Sequence, residues 1–95
     1  MSDSMEIQCI QRSGRADPYE RILAIGGVAR DGTPWKMPED VAIDGMKTGK
    51  YRFFVNLGGR TVDVLIAKSP HGHEYLKTHA DGGEPTTLLG LPDCP

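Results

Sequence analysis

Met5, Ile7 and Cys9 alternate with Glu6 and Gln8, the period-two pattern of a strand that buries one face. The pattern breaks at Ser13-Gly14-Arg15-Ala16-Asp17-Pro18, which reads as a loop. Arg21 to Val28 is too short and too β-branched for a helix and reads as a second strand. Asp31-Gly32 then marks a hairpin turn of type I′, and Thr33 to Met37, centred on Trp35, returns as the partner strand. Pro34 and its missing N–H suggest that this strand lies at a sheet edge or starts late.

Pro38-Glu39-Asp40 opens the one expected helix, between Pro38 and Thr48. Proline suits the first helical position, and two acids favour the positive end of the helix dipole. Ala42, Ile43 and Met46 form its apolar stripe, Lys47 sits in the last turn, and Gly49 supplies a left-handed cap. Beyond it Tyr51, Phe53, Val55 and Leu57 alternate with Arg52, Phe54 and Asn56. Gly58-Gly59 turns this strand back into Arg60–Ala67, whose inner face is Val62, Val64 and Ile66. Ser69 to His73 turns again, and Glu74 to Thr78 reads as a sixth strand. Residues 80–95 are rich in Gly and Pro yet carry Leu88, Leu89 and Leu91, so this tail is expected to dock on the sheet.

Strands that follow one another with a lone helix indicate an α+β domain. The expectation is one domain over residues 1–95, built on a single curled antiparallel sheet of about six strands. That sheet would form a partial barrel, with one short helix between strands 3 and 4. Twelve glycines in 95 residues agree with many tight turns.

Charge narrows the functional classes. Eleven Lys and Arg against 13 Asp and Glu leave a formal net charge of −2, which disfavours a dedicated nucleic-acid binder. No run of 18 apolar residues exists, so no membrane span is expected. Met1-Ser2-Asp3-Ser4-Met5-Glu6 lacks the basic and apolar regions of a secretory signal, which points to the cytoplasm. Disulfides are rare there, and neither cysteine belongs to a CxxC pair. Cys9 is therefore expected as a buried thiol and Cys94 as an incidental one.

Several segments, in order, carry a family resemblance. They are Arg21-Ile22, Ile25-Gly26-Gly27, Asp31-Gly32-Thr33, Trp35-Lys36, Ala42-Ile43, Gly49-Lys50, Gly58 to Val64, Tyr75 to Thr78, Asp81, Leu88-Leu89, Leu91-Pro92 and Cys94. On these residues the chain resembles a family of small, mostly bacterial proteins classed as domain of unknown function 3892. The resemblance spans nearly the whole chain and implies no established activity.

Candidate chemistry is sparse. His71 and His73, with His79 and Asp81 beyond them, form the one histidine group, but two of the three fall in a turn, and metal binding is not expected. Asp63 interrupts an apolar strand on the face opposite Val62 and Val64, where Arg52 or Lys77 could pair with it across the sheet. Lys47, Lys50, Arg52, Arg60, Lys68 and Lys77 lie near Tyr51 and Phe54, an interleaving that small barrels use to bind single strands. No nucleophile has a base beside it, and no Gly-Gly pair has the context of a phosphate loop, so no cofactor is expected. The expected function is a non-enzymatic binding module contacting a protein through the sheet face of Arg52, Phe54, Arg60, Asp63 and Lys77. The alternatives are single-stranded nucleic acid on the same face, or a small enzyme or ligand-binding protein using Asp63, Lys77 and the histidine turn. Nothing in the sequence sets an oligomeric state.

Overall fold

The computed structural model describes residues 3–14, 16–82 and 85–94. Met1, Ser2, Arg15, Gly83, Glu84 and Pro95, which belong to the expected chain start, first loop and tail, lie outside the described residues. Among the described residues the fold is α+β with seven strands: β1 (Asp3–Glu6), β2 (Cys9–Arg12), β3 (Ile22–Val28), β4 (Pro34–Pro38), β5 (Tyr51–Leu57), β6 (Arg60–Lys68) and β7 (Glu74–Thr78). Helix α1 (Glu39–Lys47) separates β4 from β5, and a one-turn helix α2 (Thr86–Leu89) lies in the tail. A short 3-10 turn, Pro18–Glu20, follows the expected first loop and overlaps it at Pro18.

The single six-strand sheet of the sequence-based expectation is instead two sheets, ordered β1-β5-β6-β7 and β2-β3-β4, and no barrel closes. The first strand is the reason. Successive N–H groups of an extended chain point to opposite sides. Here the Ile7 amide donates to the Phe54 carbonyl at 2.8 Å and the next amide, Gln8, to the Gly26 carbonyl at 2.8 Å. The chain thus leaves β5 and joins β3 within two residues, splitting the expected strand into β1 and β2. The same split moves the helix, which follows the fourth strand. It also makes β1 pair with β5 in parallel rather than antiparallel fashion, with Met5 opposite Phe53 and Glu6 opposite Phe54.

The hairpins follow their turn residues. Gly58 and Gly59 take φ of 57° and 90°, as a two-residue type I′ turn requires, and Leu57 faces Arg60 across it. The Asp31-Gly32 turn differs from the type expected, because only Gly32 has positive φ (88°). Ala29 accepts from the Gly32 amide at 2.9 Å and donates to Thr33 at 2.8 Å, closing a three-residue loop with glycine in its left-handed position. The Asp31 carboxylate accepts from the Thr33 amide at 2.9 Å, which holds its pKa below the usual range. The β6–β7 turn repeats the design, with Ser69 bonded to Gly72 and His73.

Both sheets share one core. Ile7, Ile10, Ile22, Ile25, Phe53, Val55, Val64 and Leu76 bury against Ala42 and Ile43 of α1. Pro38 is the N-cap of that helix rather than its first residue, and makes no side-chain capping bond. Its far end closes with Gly49 at φ 78°, the Gly49 amide donating to Met46 (3.2 Å) and the Lys50 amide to Gly45 (2.8 Å). Gly45 faces Tyr51 so closely that a Cβ there would collide with the ring.

The tail lies along β2. The Ile10 amide donates to Pro92 at 3.0 Å, and the Cys94 amide to Ile10 at 2.9 Å. The Arg12 guanidinium pairs with Asp93 and donates to the Leu89 and Leu91 carbonyls at 2.6 and 3.1 Å. Leu88 is fully buried, with Leu89 and Leu91 partly buried against the core. Contrary to the expectation of two separate thiols, Cys9 and Cys94 are disulfide-bonded. Eighty-five residues apart in sequence, they meet because β2 and the tail lie side by side. The same contact explains Gly26: a Cβ there would stand 3.0 Å from both sulfur atoms and 2.8 Å from the Trp35 carbonyl oxygen.

Candidate functional site

β5 and β6 bring three of the five sequence-selected residues together. Along β5, Phe53 and Val55 point into the core, which turns Arg52, Phe54 and Asn56 to the outer face. Phe54 stands opposite Asp63 in the antiparallel register, and the Arg52 guanidinium donates to the Asp63 carboxylate at 3.3 Å. These side chains are 65% and 46% exposed, so the pair sits in water and contributes under about 1 kcal/mol. Lys77, opposite Leu65 on β7, donates to the Gly82 carbonyl at 2.8 Å. Asp63 and Lys77 therefore serve different partners. Arg60 lies apart from the others at the exposed β5–β6 turn.

The histidines are not gathered. His71 and His73 occupy the β6–β7 turn while His79 follows β7, so the five-residue strand lies between them, roughly 17 Å of extended chain. Among the described residues no group of three acidic, histidine or cysteine side chains is arranged to hold a metal ion. Asp81 is committed to structure. Its carboxylate accepts from the Thr78 amide and hydroxyl (3.0 and 3.2 Å), the Thr86 hydroxyl (2.9 Å) and the Thr87 amide and hydroxyl (3.0 and 2.7 Å). Burial pushes its pKa up, but these donors outweigh burial and hold it below the usual carboxylate range.

A concave site lies beside the outer face. Where the two sheets part, a groove of about 720 Å³ is lined by Ser4, Met5 and Glu6 of β1, by Val28, Ala29 and Arg30 at the end of β3, and by Trp35 and Phe54. Gly27 sits at its narrow end, and a Cβ there would meet the Glu6 carbonyl oxygen. From that point β1 and β3 diverge. Trp35 stacks on Phe53 with ring centroids 5.8 Å apart, and its indole Nε1 is a buried donor without a hydrogen-bond partner. Val28 is 46% exposed on the groove wall. Phe54 joins this groove to the face carrying Arg52 and Asp63. Of the groove residues, sequence reasoning had singled out Phe54 alone as a site candidate. The signal for the rest was the Gly26-Gly27 pair, since glycines inside a strand mark close backbone approach.

A buried acid lies elsewhere, at the start of α1. Glu39 is 7% exposed and accepts from the Leu76 amide at 3.3 Å. Burial raises its pKa to about 7, with the neighbouring Asp40 adding to the shift and the Leu76 bond opposing it.

These features define a small two-sheet α+β protein with an aromatic-lined groove at the junction of its sheets. The chain belongs to the family described as Protein of unknown function (DUF3892), whose model matches residues 6–92. No curated protein and no solved structure matches it. Among the described residues no helix is long and apolar enough to cross a membrane.

Proposed function

We propose that this protein is a small non-enzymatic binding module that takes a protein partner at the β1–β3 groove and the adjoining outer face. The observation that carries this reading is the groove itself. It combines exposed apolar wall, two aromatic side chains and unpaired charges on one concavity, as recognition sites do. Electrostatics favour a protein over a nucleic acid. Arg52 is bound to Asp63, Lys77 to Gly82, Lys47 to Glu74 and Arg12 to Asp93, so four of the bases already spend their donors within the chain. Catalysis by Asp63 with Lys77 gains no support, because the two are bonded to other groups.

The cytoplasmic setting expected from the chain start sits against the Cys9–Cys94 bond, because disulfides persist in oxidising compartments. Thiol titration of protein trapped with an alkylating agent in its native cells decides between the two.

The functional test uses a photo-crosslinking residue at Phe54, followed by titration of the purified captured protein against Phe54→Ala. Loss of at least tenfold in affinity, with flat titrations of labelled oligothymidylate, is the expected result. Tight, salt-sensitive oligothymidylate binding at physiological ionic strength would refute it.

A further inference from the structure

Every sheet edge carries unpaired backbone groups unless something closes it, and these edges are closed by identifiable devices. On β4 the outward set is Pro34, Lys36 and Pro38, and the two prolines offer no N–H, which leaves Lys36 as a lone outward amide. On β7 the outward amides of Leu76 and Thr78 are taken by the carboxylates of Glu39 and Asp81. On β2 the outer edge is occupied by the tail, through Pro92, Cys94 and the disulfide. Among the described residues β1 has no such device. The Ile7 amide points to β5, so by the two-residue period Met5 does too, and the N–H groups of Ser4 and Glu6 face the opposite way, into the groove. Across the groove the backbone of Val28 is similarly placed. Gly26 accepts from Gln8, Ala29 donates to Thr33, and Val28 between them faces away from β4 beyond the end of β2.

We propose that the groove takes an extended peptide segment of the partner, added as a strand along β1. This deepens the binding-module reading and rests on it. A lone strand fits where a second copy of this chain does not. The groove is lined by β1 on one side and by Val28, Ala29 and Arg30 on the other, so an occupant there must lie between two walls, as a single extended chain does and a sheet edge does not. Strand addition also sets the side-chain chemistry. Residues of the added strand alternate between the core side, where Met5 and Trp35 pack, and the outer side of Ser4, Glu6 and Val28. The ion pairs among the described residues, Arg12–Asp93, Lys47–Glu74 and Arg52–Asp63, leave Glu6 and Arg30 out. The fitting segment therefore alternates aliphatic residues with charged ones, a base beside Glu6 and an acid beside Arg30.

The test titrates isotope-labelled protein with a capped peptide alternating valine with lysine and glutamate, followed by amide spectra and hydrogen exchange. Protection of the Ser4 and Glu6 amides should rise at least tenfold at saturation. Methylating the peptide nitrogens on the β1-facing set should abolish binding, and methylating the alternate set should not. Ser4→Pro should weaken binding about tenfold while Ser4→Ala, which keeps the N–H, should not; the amide spectrum of each variant reports its fold. Binding that shifts Arg52 and Asp63 without protecting Ser4 and Glu6, or equal tolerance of both methylated peptides, would overturn strand addition and leave the wider reading standing. No binding at millimolar peptide overturns it too, as does dimerisation through β1. Failure of the Phe54 experiment would remove both.

Discussion

Glu39 offers the sharpest test of the energetics. It is the first residue of α1, 7% exposed, and its carboxylate accepts from the Leu76 amide. A carboxylate there helps to close the β7 edge and faces the helix N-terminus, but it gives up most of its water. Burial wins, and the proton leaves near pH 7 instead of near 4.5. Because the folded pKa lies above the unfolded one, the stabilisation is complete below about pH 4.5. It is lost progressively as pH rises through about 7. At about 1.36 kcal/mol for each pH unit between the two values, the ionised form costs up to about 3 kcal/mol at pH 8. Glu39→Gln keeps an oxygen for the Leu76 amide and removes the charge. The variant should therefore match the wild type near pH 4.5 and exceed it at pH 8 by up to about 3 kcal/mol. For a chain of this length that is a Tm difference on the order of 10–15 °C. Urea denaturation at a series of pH values measures it. Asp31, Glu74 and Asp81 have lowered pKa values, so their contributions vanish only as pH falls below the usual carboxylate range, outside this window. Parallel stability–pH curves for the two proteins between pH 4.5 and 8 would refute the argument.

Two further predictions concern the frame. Reducing the Cys9–Cys94 bond, or replacing both residues with serine, should cost about 4–5 kcal/mol by loop entropy, with exchange protection lost first at Ile10 and Cys94; an unchanged denaturation midpoint under reductant would count against the tail lock. Gly45→Ala should lower stability by about 1–3 kcal/mol in chemical denaturation even though alanine gains about 1 kcal/mol of helix propensity, because the new methyl meets the Tyr51 ring; a stabilised variant would show that the ring yields freely.

Local chemistry made much of this protein legible from its residues. Helix α1 follows from the Ala42, Ile43 and Met46 stripe and the Gly49 stop, and the β5–β6 hairpin from clean alternation around Gly58-Gly59, because these signals act within one or two turns of chain. The pairing of Arg52 with Asp63 was likewise open to reasoning, since alternation puts both on one face of adjacent strands. What stayed hidden depends on long-range neighbours. The alternation of Met5, Ile7 and Cys9 holds whether that segment pairs with one strand or two, and only the positions of Phe54 and Gly26 decide that it divides. The disulfide needs β2 and the tail side by side, which no spacing of two cysteines conveys. The sequence marks Glu39 only as an acid at the positive end of the helix dipole, and its burial depends on β7, whose Leu76 amide it accepts from. The groove belongs to neither sheet alone: it exists because β1 and β3 touch at Gly27 and then part, and a concavity between two sheets is a property of their packing.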